Sequence, residues 1–257
     1  MNLLQVTILS IVEGLTEFLP VSSTGHLILT SKILNITQTD FVKSFEIYIQ
    51  LGAIMAVTYI YFSLLWKKKS ILLKITAAFL PSAFIGLLFY RYIKEILLGN
   101  SYITVISLFW GGIILIVIEK ISKNKTAKIL ALENISLEKA IVIGIFQSIS
   151  VIPGVSRAAA TIIGGTLLGL SRKTAAEFSF ILAIPTMLAA TMLDLYKEGF
   201  QFNREEITLL VTGVLLSFIF ALMAVKFLIR FTENNSFTLF GIYRVAIALL
   251  FFFIFLL

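Results

Sequence analysis

Long apolar stretches, separated by short polar and charged segments, dominate the chain. Six stretches run for roughly 20 residues, the length that an α-helix needs to cross a hydrocarbon core of about 30 Å. They lie at about 44–65, 71–93, 102–120, 174–195, 207–229 and 237–257. The pattern therefore predicts an all-α polytopic membrane protein with six spanning helices.

Two further apolar regions, about 1–34 and 136–170, are each interrupted near the middle. The interruptions are LPVSSTG at residues 19–25 and IPGVSR at residues 152–157. Proline followed by Ser or Gly takes the backbone out of the helix, and each flank is too short to span comfortably. Non-helical backbone at membrane depth is stable only where protein or a water-filled cavity covers it. We therefore expect two re-entrant helix-loop-helix hairpins.

A sparse internal repeat relates the two hairpins. A shift of 133 residues places Pro20 on Pro153 and Ser23 on Ser156. Each half then holds one hairpin and three crossings, and an odd number of crossings gives the halves opposite orientations. This inverted-topology repeat is common in transport proteins, where broken elements meet near the membrane midplane. The expected single membrane domain and its two repeats cover residues 1–257, about 1–121 and about 136–257.

Composition supports a membrane location and limits the chemistry. The chain is 59% hydrophobic and 14% charged, with a mean hydropathy of +1.01 and a net charge of +7. The basic residues form short clusters between apolar spans, which is typical of membrane topology signals and not of a nucleic-acid-binding face. There is no cysteine, which excludes disulfides and thiolate chemistry. No basic residue precedes Lys32, so we expect no cleaved signal peptide.

The basic clusters also predict an orientation. Short cytoplasmic loops accumulate Lys and Arg, so the loops at Lys67–Lys69 and Lys120–Lys128 are expected inside and the acidic Asp194–Glu206 loop outside. The first hairpin then enters the membrane from the outer side and the second from the cytoplasm.

The first hairpin contains EGLTEFLPVSSTGHLIL, residues 13–29, which concentrates polar chemistry in an apolar setting. Glu13 and Glu17 share one helical face. Charges inside a membrane mark functional sites, and two close carboxylates repel each other unless a cation lies between them. Mg²⁺ or Ca²⁺, which prefer oxygen ligands, are the expected cofactors. The alternative is a polar face at the end of a surface helix.

The hydroxyl groups and the imidazole of the same hairpin suit phosphate chemistry. Ser22, Ser23 and Thr24 either cap the helix that begins near Gly25 or bind phosphate together with its N-terminus, and the two roles are compatible. His26, the only histidine, suits proton transfer or nucleophilic attack near neutral pH. A structural hydrogen-bonding role is its alternative, and Ser23 is the competing nucleophile.

The second hairpin supplies a cation in PGVSRAAAT, residues 153–161. The planar fork of Arg157 matches a pair of phosphate oxygens, and Ser156 and Thr161 are the hydroxyl candidates beside it. The alternative for Arg157 is an ion pair with Glu13 or Glu17 that ties the hairpins together. Either arrangement brings the two motifs into contact and predicts a phosphate-handling site.

Three further polar residues lie in the apolar spans. Glu46 and Gln50 share one helical face and are expected to support the site, although Glu46 is equally suited to capping its helix. Arg244 lies inside the last span and has no clear role. An ion pair with Glu177 and extension of the side chain to the interface both stay open.

These motifs resemble the undecaprenyl-diphosphate phosphatase family, also called the bacitracin-resistance protein family. The resemblance rests on EGLTEFLPVSSTGHL, on SFEIYIQLGAI at residues 44–54 and on PGVSRAAATIIGG at residues 153–165, and it extends along essentially the whole chain. It implies that the glutamate pair is Glu13 and Glu17 and that the arginine is Arg157, with the serine-histidine motif at Ser22, Ser23 and His26. The family commonly has Ser-Gly after the arginine, where this chain has Ala158-Ala159.

The resemblance implies a hydrolase in the bacterial cell membrane. Its substrate would be the C55 polyprenyl diphosphate, its product the monophosphate carrier lipid for cell-wall synthesis, and its site would open to the outer face. Lipid phosphatases that use two histidines are excluded because this chain has one. A lipid transporter or flippase without hydrolysis is the alternative from another class. The nucleophile and the oligomeric state, including a homodimer, stay open.

Overall fold

The computed structural model describes residues 1–92, 96–97, 100–122, 126–199 and 202–255. In this part of the chain the regular structure is helical, apart from one isolated bridge between Ile129 and Leu170. The helices are α1 (Leu3–Thr16), α2 (Ser23–Ile33), α3 (Asp40–Lys67), α4 (Lys69–Leu88), α5 (Tyr90–Tyr92), α6 (Ser101–Ser122), α7 (Leu137–Ser148), α8 (Arg157–Leu167), α9 (Arg172–Glu198), α10 (Arg204–Asn234) and α11 (Thr238–Phe255).

Six of the described helices are long and apolar enough to cross a membrane: α3, α4, α6, α9, α10 and α11. They coincide with the six stretches that the hydrophobic pattern predicts. Their outward faces carry large apolar side chains, including Trp66, Phe84 and Phe253, which are more than half exposed. Such surfaces are stable against lipid and not against water. The chain is therefore an all-helical, multi-pass membrane protein.

The two interrupted regions are broken where the sequence predicts. Residues 17–22 separate α1 from α2, and a 3₁₀ turn at Ile149–Val151 followed by residues 152–156 separates α7 from α8. We call these the first turn, residues 17–22, and the second turn, residues 152–156. Helix α2 begins at Ser23, two residues before the expected start near Gly25, because Ser22 already caps it.

The broken helices pack against long helices of the other half of the chain. Helix α1 lies along α10 and α7 lies along α4, while α6 packs on α11 and α3 packs on α9 and α10. Glycine permits the closest approaches. A Cβ at Gly14 would lie 2.6 Å from the Ser217 carbonyl oxygen on α10, and one at Gly144 would lie 2.0 Å from that of Ala78 on α4. These contacts hold each broken pair of helices against a long helix of the bundle.

Candidate active site

The two turns line a partly open cavity of about 160 Å³ between the N-termini of α2 and α8, and most of its lining residues are polar. Its walls come from both turns and from α3 and α9. The lining residues are Glu17, Ser22, Ser23, Thr24, Gln50, Ser150, Ile152, Pro153, Gly154, Ser156, Arg157, Thr186, Met187 and Ala190. The cavity therefore combines both motifs that the sequence singles out.

Ser22 and Ser156 start the two helices in the same way. Each has a φ of 73°, in the left-handed region that non-glycine residues rarely adopt. The Ser22 Oγ accepts from the Gly25 N–H at 3.3 Å, and the Ser156 Oγ accepts from the Ala159 N–H at 3.1 Å. The earlier N–H groups of each first turn have no partner within the helix. Both helix N-termini therefore offer donors and partial positive charge at the cavity.

An ion pair between Arg157 and Glu17 crosses the cavity wall. Arg157 Nε and Nη2 donate to Glu17 Oε1 at 3.3 and 2.9 Å, and both side chains are almost buried. Nη1 donates to the Ser179 carbonyl oxygen at 2.8 Å. The ion pair between Arg157 and a glutamate of the first hairpin, which the sequence analysis gave as the alternative to phosphate binding, is therefore present. A guanidinium has five N–H groups, so two remain beyond these three bonds for a phosphate oxygen.

Ser23 completes this charged group. Its hydroxyl donates to Glu17 Oε2, the carboxylate oxygen that Arg157 does not contact. Glu17 is thus the link between a serine of the first turn and the arginine of the second. A hydroxyl bonded to a carboxylate is arranged for loss of its proton, which activates a serine as a nucleophile.

Glu13 lies behind Glu17, is fully buried, and is absent from the cavity lining. No N–H or hydroxyl group donates to either of its carboxylate oxygens, and the carboxyl group of Glu17 lies within hydrogen-bonding reach of it. The charges that act on it are Glu17 and Glu46, of like sign, and Arg157, of opposite sign. An uncompensated buried carboxylate is costly, and a divalent cation would remove that cost.

The residues present fit a divalent cation only with help from a ligand. Among the described residues no group of three or more His, Asp or Glu side chains gathers in one place. Glu13 and Glu17 are two carboxylates, and Mg²⁺ commonly binds through one or two carboxylates together with substrate phosphates and water. The unpartnered Glu13 oxygens are the observation that favours such an ion here.

His26 is not among the residues that line the cavity. Its Nδ1 lies 2.7 Å from the Ser22 carbonyl oxygen, and its Nε2 lies 2.8 Å from the Tyr243 hydroxyl on α11. A carbonyl oxygen only accepts, so Nδ1 carries the proton and, in the neutral ring, Nε2 accepts from Tyr243. In this geometry the imidazole links the first turn to α11 by hydrogen bonds, which is the structural role considered as the alternative for His26. A catalytic role for His26 stays a prediction.

The remaining candidates divide between the cavity and its surroundings. Thr24 and Gln50 line the cavity. Thr161 lies outside it, and its hydroxyl donates to the Ser179 hydroxyl at 2.7 Å. Glu46 accepts from the hydroxyl of Ser31 at 3.0 Å, also outside the lining. Phosphate binding by Thr161 and a supporting role for Glu46 stay predictions.

Several residues at the site carried no usable signal in the sequence. Tyr243 and Ser179 are single polar groups inside long apolar helices, and their contacts depend on tertiary packing. Thr186, a further lining residue, is of the same kind.

Arg244 was noticeable as a charge within a span, but both expectations for it, an ion pair with Glu177 and extension of the side chain to the interface, are wrong. It is fully buried, bonds backbone carbonyls and makes no ion pair within the described residues.

Together these observations define a class of protein. It is a helical, multi-pass membrane protein in which an arginine, a carboxylate and a serine hydroxyl meet at a cavity between two helix N-termini. More particularly, the chain belongs to the bacitracin resistance protein BacA family, which it matches over residues 6–250.

Three relatives of the chain are each called undecaprenyl-diphosphatase. The protein of Aquifex aeolicus is 53% identical over 247 residues, 96% of each chain. That of Sulfurihydrogenibium sp. is 49% identical over 98% of this chain and 99% of the relative. That of Wolinella succinogenes is 46% identical over 98% of both. The family resemblance drawn from the motifs is therefore confirmed.

Proposed function

We propose that this chain is a membrane hydrolase that removes the terminal phosphate of undecaprenyl diphosphate, giving the monophosphate lipid and inorganic phosphate. The observation that carries the proposal is the chain of contacts from Ser23 through Glu17 to Arg157 at the cavity between two helix N-termini. The names of the relatives give the substrate. They favour hydrolysis over a flippase that only moves lipid.

Ser23 is the nucleophile that the geometry favours. Its Oγ attacks the terminal phosphorus while its proton passes to Glu17 Oε2, to which it is already hydrogen-bonded. The bond between that phosphorus and the bridging oxygen breaks, and the lipid monophosphate leaves. Water then hydrolyses the phosphoserine, restoring the hydroxyl and releasing phosphate. His26, the alternative nucleophile or base, would first have to leave Tyr243.

Arg157 and the two helix N-termini stabilise the charge that moves during this transfer. Phosphoryl transfer depends chiefly on positioning and on electrostatic stabilisation of the phosphoryl oxygens. The free N–H groups of Arg157 and the first turns of α2 and α8 face one cavity, which supplies donors from two directions. Thr24 and Ser156 add hydroxyl groups beside them.

Glu13 and Glu17 would hold Mg²⁺ or Ca²⁺, with the other ligands coming from phosphate oxygens and water. When bound, such an ion neutralises phosphate charge. The unpartnered carboxylate of Glu13 supports this proposal.

The broken helices have the dimensions of re-entrant hairpins. Helix α1 has 14 residues and α2 and α8 have 11 each, so at 1.5 Å per residue they are roughly 21 and 17 Å long and fall short of a bilayer core of about 30 Å. Their packing is reciprocal between halves, α1 with α10 and α7 with α4, as an inverted repeat of about 1–121 and 136–257 requires. The lysine clusters support a site that opens to the outer face of a bacterial cell membrane.

The lipid tail of the substrate would lie against the apolar helix faces while the diphosphate enters the cavity. A cavity of about 160 Å³ accommodates a headgroup and not a C55 chain. Membrane lipid is therefore both the surroundings of the protein and the source of its substrate.

The test is phosphate release from undecaprenyl diphosphate by purified protein in detergent, with Mg²⁺, with Ca²⁺ and with EDTA. We compare the wild type with Ser23→Ala and with Ser10→Ala, a matched control. Ser10 is fully buried on α1, and its hydroxyl bonds only the Val6 carbonyl oxygen of its own helix. We expect metal-dependent release that Ser10→Ala retains and Ser23→Ala loses.

A third variant, His26→Ala, separates the open roles. If His26 only braces the first turn, its loss lowers turnover less than the loss of Ser23 does. If His26→Ala and Ser23→Ala both abolish phosphate release, a direct catalytic role for the imidazole is supported. Absence of release from folded wild type under every metal condition would overturn the hydrolase and leave the transporter.

A further inference from the structure

Arg244 is the largest completely buried side chain of the described residues, and it lies on α11 within the membrane bundle. Within the same residues it makes no ion pair, although a buried charge normally requires one. The site described above does not use it as a lining residue. Its surroundings must therefore satisfy the guanidinium in another way.

Backbone carbonyl oxygens surround the guanidinium. All five of its hydrogen bonds end on carbonyls, which come from the first turn, the second turn and α6. The acceptors are Pro20 and Val155 for Nη1, at 3.2 and 3.0 Å, Gly154 and Ser107 for Nη2, at 2.8 and 3.3 Å, and Leu108 for Nε, at 3.4 Å.

These carbonyls need a donor as much as the arginine needs acceptors. Pro20, Gly154 and Val155 lie in turns, outside any helical ladder, and a buried carbonyl without a donor is destabilising. A guanidinium presents its donors in a rigid planar fork, so it fixes the relative position of its acceptors. One side chain thus holds both turns against each other and against α6.

The turns held in this way carry the reacting groups. Ser23 lies three residues after Pro20, and Arg157 lies two residues after Val155. Glu17 itself belongs to the first turn, so a shift of one turn against the other would separate Arg157 from Glu17 and from Ser23. Misplacement of reacting groups by about 1 Å can cost roughly 100-fold in rate.

Helix α6 is shaped around this guanidinium. A Cβ at Gly111 would lie 2.1 Å from Arg244 Nη2, so no larger residue fits there while the arginine stays in place. At Gly154, in the second turn, φ is +91° and a Cβ would lie 2.4 Å from the Thr104 carbonyl oxygen on α6. Both glycines keep α6, the second turn and Arg244 in close contact.

We propose that Arg244 is a positioning residue for the phosphatase reaction, which ties the first and second turns into one register so that Ser23 and Arg157 meet at Glu17. The inference rests on the proposed function for its consequence in catalysis. The tie itself is a property of the fold and is testable without turnover.

The kinetic test compares Arg244→Lys and Arg244→Met with the wild type in phosphate release from undecaprenyl diphosphate. The lysine ammonium keeps the positive charge but cannot donate to all five carbonyl oxygens at once. The methionine thioether has no hydrogen to donate to any of them. We expect kcat to fall about tenfold for Arg244→Lys and about 100-fold for Arg244→Met. KM should change by less than about threefold, because the phosphate-binding groups are intact in each turn.

Gly111→Ala tests the same tie with Arg244 unchanged. The added Cβ displaces the guanidinium, so kcat should fall although every polar group is present. Gly86→Ala on α4 is its control, because a Cβ there meets no atom within 4 Å. It should keep the wild-type kcat.

Hydrogen exchange, read by mass spectrometry, tests the tie directly. Arg244→Met or Gly111→Ala should raise exchange in the first and second turns together, with α3 and α9 still protected. Wild-type kcat and protected turns in folded Arg244→Met would overturn the proposal, and so would a loss of protection spread evenly over all helices. If Arg244→Met does not fold, Arg244→Lys and Gly111→Ala give the same readouts. Wild type without phosphate release would overturn the proposed function, while exchange still decides the tie.

Discussion

Glu13, in the last turn of α1, and Glu17, the residue that follows this helix, have opposite surroundings. Glu17 accepts from Arg157 and from Ser23, so both of its oxygens are satisfied. Glu13 is deeper and has no donor on either oxygen. A carboxylate kept in this state lowers stability, and a residue that costs stability without a structural partner is typical of a functional site.

This contrast predicts that Glu13→Gln stabilises the protein and removes its response to metal. A neutral amide ends the repulsion from Glu17, and a gain of about 1 kcal/mol would raise Tm by roughly 2–4 °C. An ion that binds only the folded state raises Tm by mass action, so Mg²⁺ or Ca²⁺ should raise the Tm of the wild type and not that of Glu13→Gln. Thermal unfolding in detergent, with and without the ion, measures both effects.

The control is Glu46→Gln, because Glu46 already has Ser31 and Gln38 as donors. It should lower Tm and keep the shift caused by metal. An equal metal shift in wild type and Glu13→Gln would show that this carboxylate holds no ion.

At this scale the sequence identified the charged and hydroxyl residues of the site but not all of their contacts. Glu17, Ser23 and Arg157 were recognisable because polar groups within apolar segments are costly and so rarely incidental. The direction of His26 was not, because its partner Tyr243 lies 217 residues away on α11. Such contacts are set by packing and leave no local pattern.

At the scale of elements, the interrupted helices and their glycines determine where the site forms. Gly14 lets α1 approach the backbone of α10, and Gly144 lets α7 approach that of α4. The breaks were predictable from proline and from flanks too short to span. The partner helices were not, because a hydrophobic pattern gives the position of a helix along the chain and not its neighbour.

Alanine at these glycines should destabilise both halves in the same way. At Gly14 and Gly144 the new Cβ meets a carbonyl oxygen of the facing helix, which cannot move aside as a side chain can. We expect a loss of about 1–3 kcal/mol in unfolding free energy for each. Gly86→Ala should instead be neutral or stabilising by up to about 1 kcal/mol, because alanine favours helix and the space there is open. Unchanged Tm in Gly144→Ala would contradict the close packing of α7 on α4.

At the scale of the whole molecule, six long helices surround two shorter broken pairs. The hydrophobic pattern predicted all six spans, since length and hydropathy alone decide whether a helix can cross a bilayer. The orientation of the helices in the membrane is inferred from the lysine clusters. It also requires that each broken pair returns to the side from which it enters. The number of membrane crossings is therefore a proposal, and labelling from one side of the membrane can test it.

The natural absence of cysteine makes this measurement direct. Single cysteines at Glu205 and Lys69, both exposed, lie at the ends of α10 and α4 that the lysine clusters assign to opposite sides. A membrane-impermeant maleimide added to intact cells should label Glu205→Cys at once and Lys69→Cys only after permeabilisation. The reverse pattern would invert the topology. Labelling of both from outside would show that the second broken pair, which lies between the two positions in the sequence, crosses the membrane and is not re-entrant.

The central claim is that the contact between Glu17 and Arg157 forms a phosphatase site. The most direct test compares this buried pair with a second arginine–glutamate pair, in which Glu119 is buried and the Arg172 side chain is partly exposed. Arg172 pairs with Glu119 at 2.7 Å, away from the cavity, much as Arg157 pairs with Glu17 at 2.9 Å. The measurement is phosphate release from undecaprenyl diphosphate by Arg157→Lys and Arg172→Lys, each with its Tm. Both variants should lower Tm, but only Arg157→Lys should lose release, by about 100-fold or more. Equal release by the two variants would contradict a catalytic site at Arg157.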